Sequence, residues 1–276
     1  MCDNDGMITD RKRRYNDGWP WWMRSLGHVR RRVVALTGGS ALILLYHRVA
    51  DLTNDPEQLA ISPVQFEEQI AAFSKEFNLA SLSEVVKRLQ NGQRLDKKTL
   101  CISFDDGYKD NFTCALPILE RYKAPATFFI AGDGLDSDHH YPWEQHAPEL
   151  YEHANSELLA QASRNPLVEI GGHTQTHPRL SLLSREEQLF EIAENKTLLE
   201  DITGKKLQLF AYPFGQMNDF DDSSVAAVAA CGYQAAVTTS SGLVSKGVDL
   251  FCLPREDVSS LDATEAIAYL RHAFGD

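Results

Sequence analysis

The stretch CISFDDGYKDN, from Cys101 to Asn111, sets two aspartates side by side after a short apolar run and before a glycine. Further along, GGHTQTH places His173 and His177 four residues apart. Two imidazoles and one carboxylate make the three protein ligands of a catalytic metal centre, which keeps a further position for water. Adjacent strand residues point to opposite faces. At a strand end, however, a turn at Gly107 lets both Asp105 and Asp106 reach one cavity. A carboxylate held by a cation stays ionised, and its neighbour is left to take a proton from an attacking water. Alone, Asp-Asp-Gly reads equally well as a solvated turn, and a histidine pair alone carries little; together they define a candidate site. Pro178 disfavours helical geometry at His177, so this pair is expected where a strand runs into a turn.

Such groups need a rigid scaffold with a shared mouth. Short apolar runs rich in β-branched and aromatic residues alternate with amphipathic segments, the pattern of βα units around a parallel sheet. The strands are expected at Ala41–His47, Leu100–Asp105, Ala126–Ala131, Val168–His173, Leu207–Pro213, Tyr233–Thr238 and Leu250–Arg255. About seven parallel strands imply an α/β fold, a distorted (β/α) barrel. Capping boxes are expected at Ser62/Gln65 and Ser184/Glu187, and glycine stops after SLSEVVKRLQ and DDSSVAAVAAC. His47, Asp105, Asp106, His173, Tyr212 and Arg255 all fall at C-terminal strand ends, where the βα loops of a barrel converge. The irregular segment AGDGLDSDHHYPWEQHAPELYEHAN is expected on the same rim; its Trp143 would either stack on a sugar ring or pack beneath the loop.

The 276 residues, 43% hydrophobic, suffice for one large core. Residues 41–276 are read as a single catalytic domain and residues 1–40 as a basic, Trp-rich extension, either suited to contact with an anionic membrane face or equally a plain floppy or packed N-terminal segment. A net charge of −12 argues against nucleic acid as partner. Five scattered cysteines without a CxxC pair argue against a disulfide framework and fit a reducing compartment. No apolar run is long enough for a secretory signal or a spanning helix, so a cytoplasmic location, at or near the membrane surface, is expected. A G-x-S-x-G elbow is missing, and LTGGSA precedes a strand, the wrong context for a phosphate loop.

SFDDG and HTQTH resemble the first two motifs of the polysaccharide deacetylase superfamily, carbohydrate esterase family four, and AYPFG (Ala211–Gly215) resembles its third. The resemblance runs in order from LILLYHRV to LPRED. It implies hydrolysis of an N-acetyl group from an amino sugar with a divalent metal, commonly Zn2+, although this donor set also admits cobalt, nickel or iron. Carried over, Asp105 is the base; Asp106, His173 and His177 hold the metal; Tyr212 lends its backbone N–H to the developing oxyanion. Where the family has an arginine bracing the base, this chain has Ala211, and Arg255 is the candidate replacement. The general acid is expected at His47, as in circularly permuted branches, rather than at His272, which lies in a helical segment; Asp257 is a candidate to tune it. Competing readings are another amidohydrolase, acting on formyl groups or cyclic amides, and a non-catalytic carbohydrate-binding module. The expected substrate is an N-acetylated sugar in a glycan, glycolipid or sugar conjugate, a nucleotide-linked or lipid-linked sugar being more natural than a cell-wall polymer.

Overall fold

The computed structural model describes residues 39–52, 54–145 and 151–276; the Arg/Trp-rich arm, and the membrane contact expected of it, lie outside them. Among the described residues no helix is long and apolar enough to cross a membrane.

The expected apolar runs form the strands. In chain order they are β1 (Ala41–Tyr46), β2 (Arg48–Val49), β3 (Ala60–Ile61), β4 (Asn78–Leu79), β5 (Thr99–Phe104), β6 (Ala126–Ile130), β7 (Val168–Gly172), β8 (Leu209–Ala211), β9 (Ala235–Val237) and β10 (Glu256–Asp257). The main sheet runs β10-β1-β5-β6-β7-β8-β9, with β4 beside the start of β5. Every pairing along it is parallel. The result is the expected distorted (β/α) barrel, with helices α1 (Pro63–Glu76), α2 (Leu82–Gln90), α3 (Leu116–Arg121), α4 (Ser156–Ala162), α5 (Arg185–Thr203), α6 (Asp222–Ala230) and α7 (Ala263–Phe274).

One expected strand is corrected. Leu250–Arg255 is a turn with a single parallel bridge, Leu253 to Val237, and the ladder to β1 is made by Glu256–Asp257. The cause is Pro254, which has no N–H to continue a ladder. On one side of it Leu253 bonds Ala236 and Thr238; on the other, the chain crosses to β1. This short crossing joins the two edges of the sheet, and it carries Arg255.

Two-residue alternation sorts the side chains. Leu42, Leu44, Ile102, Phe104, Phe128 and Phe210 pack outward among the helices. Ile43, Cys101, Phe129, Leu209, Ala211 and Val237 form the inner cluster, closed at the N-terminal end by Leu82, Val85 and Val86 of α2. Following the inner face along β5, Cys101 is succeeded by Ser103 and then Asp105, so strand periodicity itself delivers a carboxylate to the top of the barrel.

The helix starts follow their caps. α5 has the complete expected box, with Ser184 and Glu187 bonded both ways, and stops at Gly204, φ 66°. At α1 only half of the expected box forms: Ser62 accepts from the Gln65 N–H at 3.1 Å, but the Gln65 amide donates to Leu261 O at 2.8 Å, tying α1 to the loop before α7.

The inner layer is tight at Gly171 of β7, where an added Cβ would lie 2.4 Å from the Phe129 ring and 2.9 Å from Leu209 O. Overpacking of this kind costs about 1–3 kcal/mol. Gly171→Ala is therefore expected to lower the thermal midpoint by roughly 2–12 °C; an unchanged midpoint in a calorimetric scan would refute the tight inner packing.

Candidate active site

Asp105 follows β5 and is 3% exposed. Its backbone N–H continues the ladder to Tyr46 O (3.0 Å), which points the carboxylate inward. Arg255 meets it with both fork nitrogens, Nη1 to Oδ1 at 2.7 Å and Nη2 to Oδ2 at 2.6 Å. The same guanidinium donates to Thr238 O (2.9 Å) and to the Ser103 hydroxyl (3.2 Å), which itself donates to Leu44 O (2.7 Å). Burial opposes ionisation, but the charge and hydrogen bonds of Arg255, with His173 and His47 nearby, hold the Asp105 carboxyl below the usual carboxylate range.

Asp106 faces different partners. The Nε2 atoms of His173 and His177 each lie 3.4 Å from its Oδ1, and one donor atom from each of the three buried residues falls within 4.8 Å of the others. His173 follows β7 and donates from Nδ1 to Ala211 O at 2.8 Å, which fixes the tautomer and leaves the Nε2 lone pair directed at Asp106. Against its burial, the two imidazoles hold the Asp106 carboxyl well below its usual range. Burial holds the His177 imidazole down, against the pull of Asp106, so it stays neutral. Against its burial, Asp106 and Asp105 hold the His173 imidazole up; a cation bound there would displace that proton, and a carboxylate with two imidazole nitrogens on a buried wall is a donor set that fits a divalent cation.

Convergence is achieved by unusual backbone. Asp106 (φ 73°), Thr174 (φ 68°) and His177 (φ 55°) all sit in the left-handed region, which non-glycine residues adopt at some cost and keep only where surroundings enforce it. The enforcement comes from α5. Asn195 accepts the His173 N–H (3.0 Å) and donates to Ile130 O (3.0 Å). Glu191 accepts from the N–H groups of Gln175 (2.9 Å) and Thr176 (2.8 Å) and from the Thr176 hydroxyl (2.8 Å). Gln188 donates to Leu180 O (2.9 Å). These three buried residues recur at helical spacing, one polar stripe directed at the ligand turn.

The irregular loop reaches the site, as expected. Tyr108 and His153 form an antiparallel bridge, and the Ala154 N–H bonds Gly107 O at 2.9 Å. Fully buried Glu144 is the loop's anchor, accepting from the Tyr108 hydroxyl (2.6 Å) and the Tyr141 N–H (2.8 Å), with His153 Nε2 at 3.2 Å. Trp143 is half-buried and stacks on Tyr141 at 4.8 Å; its indole N–H donates to the Tyr108 hydroxyl. Tyr141 and Trp143 both abut the ring of His177.

His47 follows β1, half-buried, near both aspartates. His272 lies on the exposed side of α7. The Asp257 carboxylate accepts from the N–H (3.0 Å) and hydroxyl (2.7 Å) of Ser259, and no bond from it to His47 is present among the described residues. The expected role of Tyr212 is corrected: its N–H continues the β8–β9 ladder to Val237 O at 3.2 Å and is not free for an oxyanion. Its ring is buried, stacked on Phe220 at 4.0 Å. Two residues on, Phe214 has φ 59°, rests its partly exposed ring on His177 (4.9 Å), and its N–H has no acceptor among the described residues. Sequence reasoning missed Glu144, Glu191, Asn195 and Ser103; a signal was available for Ser103 alone, a polar residue at a position that strand alternation assigns to the buried face.

Residues 92–236 match the family model of polysaccharide deacetylases. The chain is 28% identical over 218 residues to YxkH of Bacillus subtilis (strain 168), covering 79% of this chain and 71% of that one. It is 26% identical over 206 residues to the poly-beta-1,6-N-acetyl-D-glucosamine N-deacetylase of Staphylococcus aureus, covering 65% of this chain and 66% of that one. Among solved structures, the Streptococcus pyogenes deacetylase PplD superposes with a TM-score of 0.71 at 23% identity, covering 85% of this chain and 99% of that one. IcaB from Ammonifex degensii gives 0.71 at 22%, covering 85% and 98%. These structures share the fold.

Arg255→Met removes the cation from Asp105 and leaves burial acting on it. The carboxyl pKa, followed by 13C NMR, is expected to rise, and the uncompensated charge to cost about 3–5 kcal/mol. In the unaltered protein the folded pKa lies below the unfolded value of about 3.9. The pair's contribution is therefore complete above that pH and is lost as pH falls through the folded pKa; a carboxyl that does not move in the variant would refute Arg255 as the cause. Glu191→Ala frees the ligand turn and is expected to weaken zinc binding about 10–100-fold in calorimetric titration. Unaltered affinity would show that the turn holds without it.

Proposed function

The chain belongs to the polysaccharide deacetylase family, and we propose that it is a metal-dependent N-deacetylase acting on an amino sugar of a glycan. The observation that carries this reading is the division of labour between two adjacent aspartates: Asp105 is ion-paired to Arg255, whereas Asp106 lies 3.4 Å from the Nε2 atoms of two imidazoles. Chemically equal groups in such different surroundings take different roles.

Asp106, His173 and His177 would hold the cation, zinc being our first choice for two imidazoles and a carboxylate. Bound there, a divalent cation supplies Lewis acidity, polarising the acetamide carbonyl and acidifying water. The remaining steps belong to the side chains. Asp105, kept ionised and oriented by Arg255, accepts the proton of the attacking water. The Phe214 N–H, in place of Tyr212, is our candidate donor to the oxyanion. His47 protonates the departing amine, leaving acetate and a free amino sugar. The staphylococcal relative is named for poly-beta-1,6-N-acetyl-D-glucosamine, so an N-acetylglucosamine polymer is the first substrate class to try.

The test is acetate release from free, lipid-linked and polymeric N-acetylated sugars by zinc-loaded protein, chelated protein and Asp105→Asn. Release is expected only with zinc, and Asp105→Asn is expected to lower kcat by about 10²–10⁴. Zinc titration and thermal unfolding of that variant separate lost chemistry from lost folding. Zinc-independent release, or a fully active Asp105→Asn, would refute the assignment. Release from no N-acetylated sugar, with zinc bound, would favour a different amide substrate.

A further inference from the structure

The geometry points to Asn111 as the positioning residue for His47, and so for proton delivery to the leaving amine; this rests on His47 acting as the acid in the function proposed above. The β1–β5 ladder aligns the two segments up to Asp105, whose N–H bonds Tyr46 O. His47 is the first residue beyond β1 and belongs to no ladder. Beyond it the chain enters the β2–β3 pair, with the Arg48 N–H on Leu59 O at 3.1 Å, and toward the β5 turn His47 is held by side chains. Asn111, fully buried, donates from Nδ2 to His47 O at 2.7 Å and to Asp110 Oδ1 at 3.3 Å. Asp110 accepts from the Val49 N–H (3.0 Å) and from Arg48 Nε (2.9 Å). The Arg48 guanidinium in turn lies 4.8 Å from the ring centres of both Tyr108 and Tyr151.

Three consecutive residues, His47 to Val49, are thus gripped by two consecutive side chains that follow the aspartate turn by four residues. Asn111 also opens the π-helical turn Asn111–Ala115, and its N–H bonds Tyr108 O at 3.1 Å. Inserted π-turns of this kind re-aim side chains at functional sites. The clamp makes acid and base segments one rigid piece: a shift of His47 relative to Asp105 requires breaking the Asn111 bond. Neither residue touches substrate in this scheme, so their effect is on alignment.

The step affected is the collapse of the tetrahedral adduct. Its C–N bond breaks, the electron pair stays on nitrogen, and the proton of the His47 imidazolium passes to that nitrogen, giving neutral imidazole, amine and acetic acid, which then loses its proton to solvent as acetate. An amine leaves poorly unless protonated, whereas a stabilised phenolate leaves without help. The two leaving groups therefore separate acid alignment from everything else in the site.

The experiment compares wild type, Asn111→Ala, Asn111→Asp and His47→Ala, all zinc-loaded. For each sample one measures the ratio of turnover on the panel of N-acetylated sugars to turnover on 4-methylumbelliferyl acetate. Because both rates come from one sample, the ratio is independent of the fraction folded. For both Asn111 variants it is expected to fall at least ~10-fold, within the span of a general-acid contribution, with His47→Ala as the lower limit. A ratio equal to wild type, whether both activities persist or fall together, overturns the positioning role. An unchanged ratio in His47→Ala overturns the acid assignment on which it rests. Wild type that hydrolyses the ester and no N-acetylated sugar overturns the deacetylase reading and the proposal with it.

Discussion

A carboxylate that is 3% exposed stays ionised only beside a cation held as firmly as itself, and the Asp105–Arg255 pair is that arrangement. The guanidinium also bonds Thr238 at the end of β9 and Ser103 on β5, and Ser103 bonds Leu44 on β1. Arg255 lies on the crossing that joins the two sheet edges. Closure of the barrel and ionisation of Asp105 are therefore one condition: opening the crossing would strand a buried guanidinium, and neutralising Asp105 would leave the same group uncompensated.

Around this centre the protein uses polar groups where a barrel would ordinarily use apolar ones. The left-handed residues Asp106, Thr174 and His177 bring three donor atoms together at a cost in backbone strain, and Glu191 and Asn195 of α5 offset it with five hydrogen bonds to the turn and its neighbour Ile130. On the opposite side Glu144 collects the Tyr108 hydroxyl and the Tyr141 N–H, fixing the aromatic wall against His177. Burial and the Asp106 and Glu144 charges keep the Tyr108 phenol protonated far above neutral pH, so it remains a donor to that carboxylate throughout.

What could be read from sequence follows from how local each signal is. The strands showed themselves because apolar runs of five or six residues are a property of the segment alone, and the candidate site because Asp105, Asp106, His173 and His177 lie within two short stretches. Leu250–Arg255 was misread because apolarity there serves packing on both sides of Pro254 and not a continuous ladder. Tyr212 was misread because its N–H is consumed by a strand partner, Val237, that no local pattern reveals. Glu191 and Asn195 sit on α5 among exposed charges, where a polar stripe toward the barrel looks the same as one toward solvent. Arg255 lies 150 residues from Asp105, and only the fold brings them together.

The exchange of the family's expected arginine for Ala211 has a stoichiometric explanation. One carboxylate offers two oxygens to a planar fork, and Arg255 occupies both at 2.7 and 2.6 Å. A second guanidinium entering from β8 would set two buried cations against the single charge of Asp105, and the excess charge would be uncompensated, which costs several kcal/mol. Once the closing segment carries the arginine, a small side chain at 211 is what the inner layer tolerates, and the Ala211 carbonyl remains available to fix the His173 tautomer. Asp105 requires one brace, and the strand that supplies it is free to vary, because what is constrained is the charge and the two bond directions at Asp105.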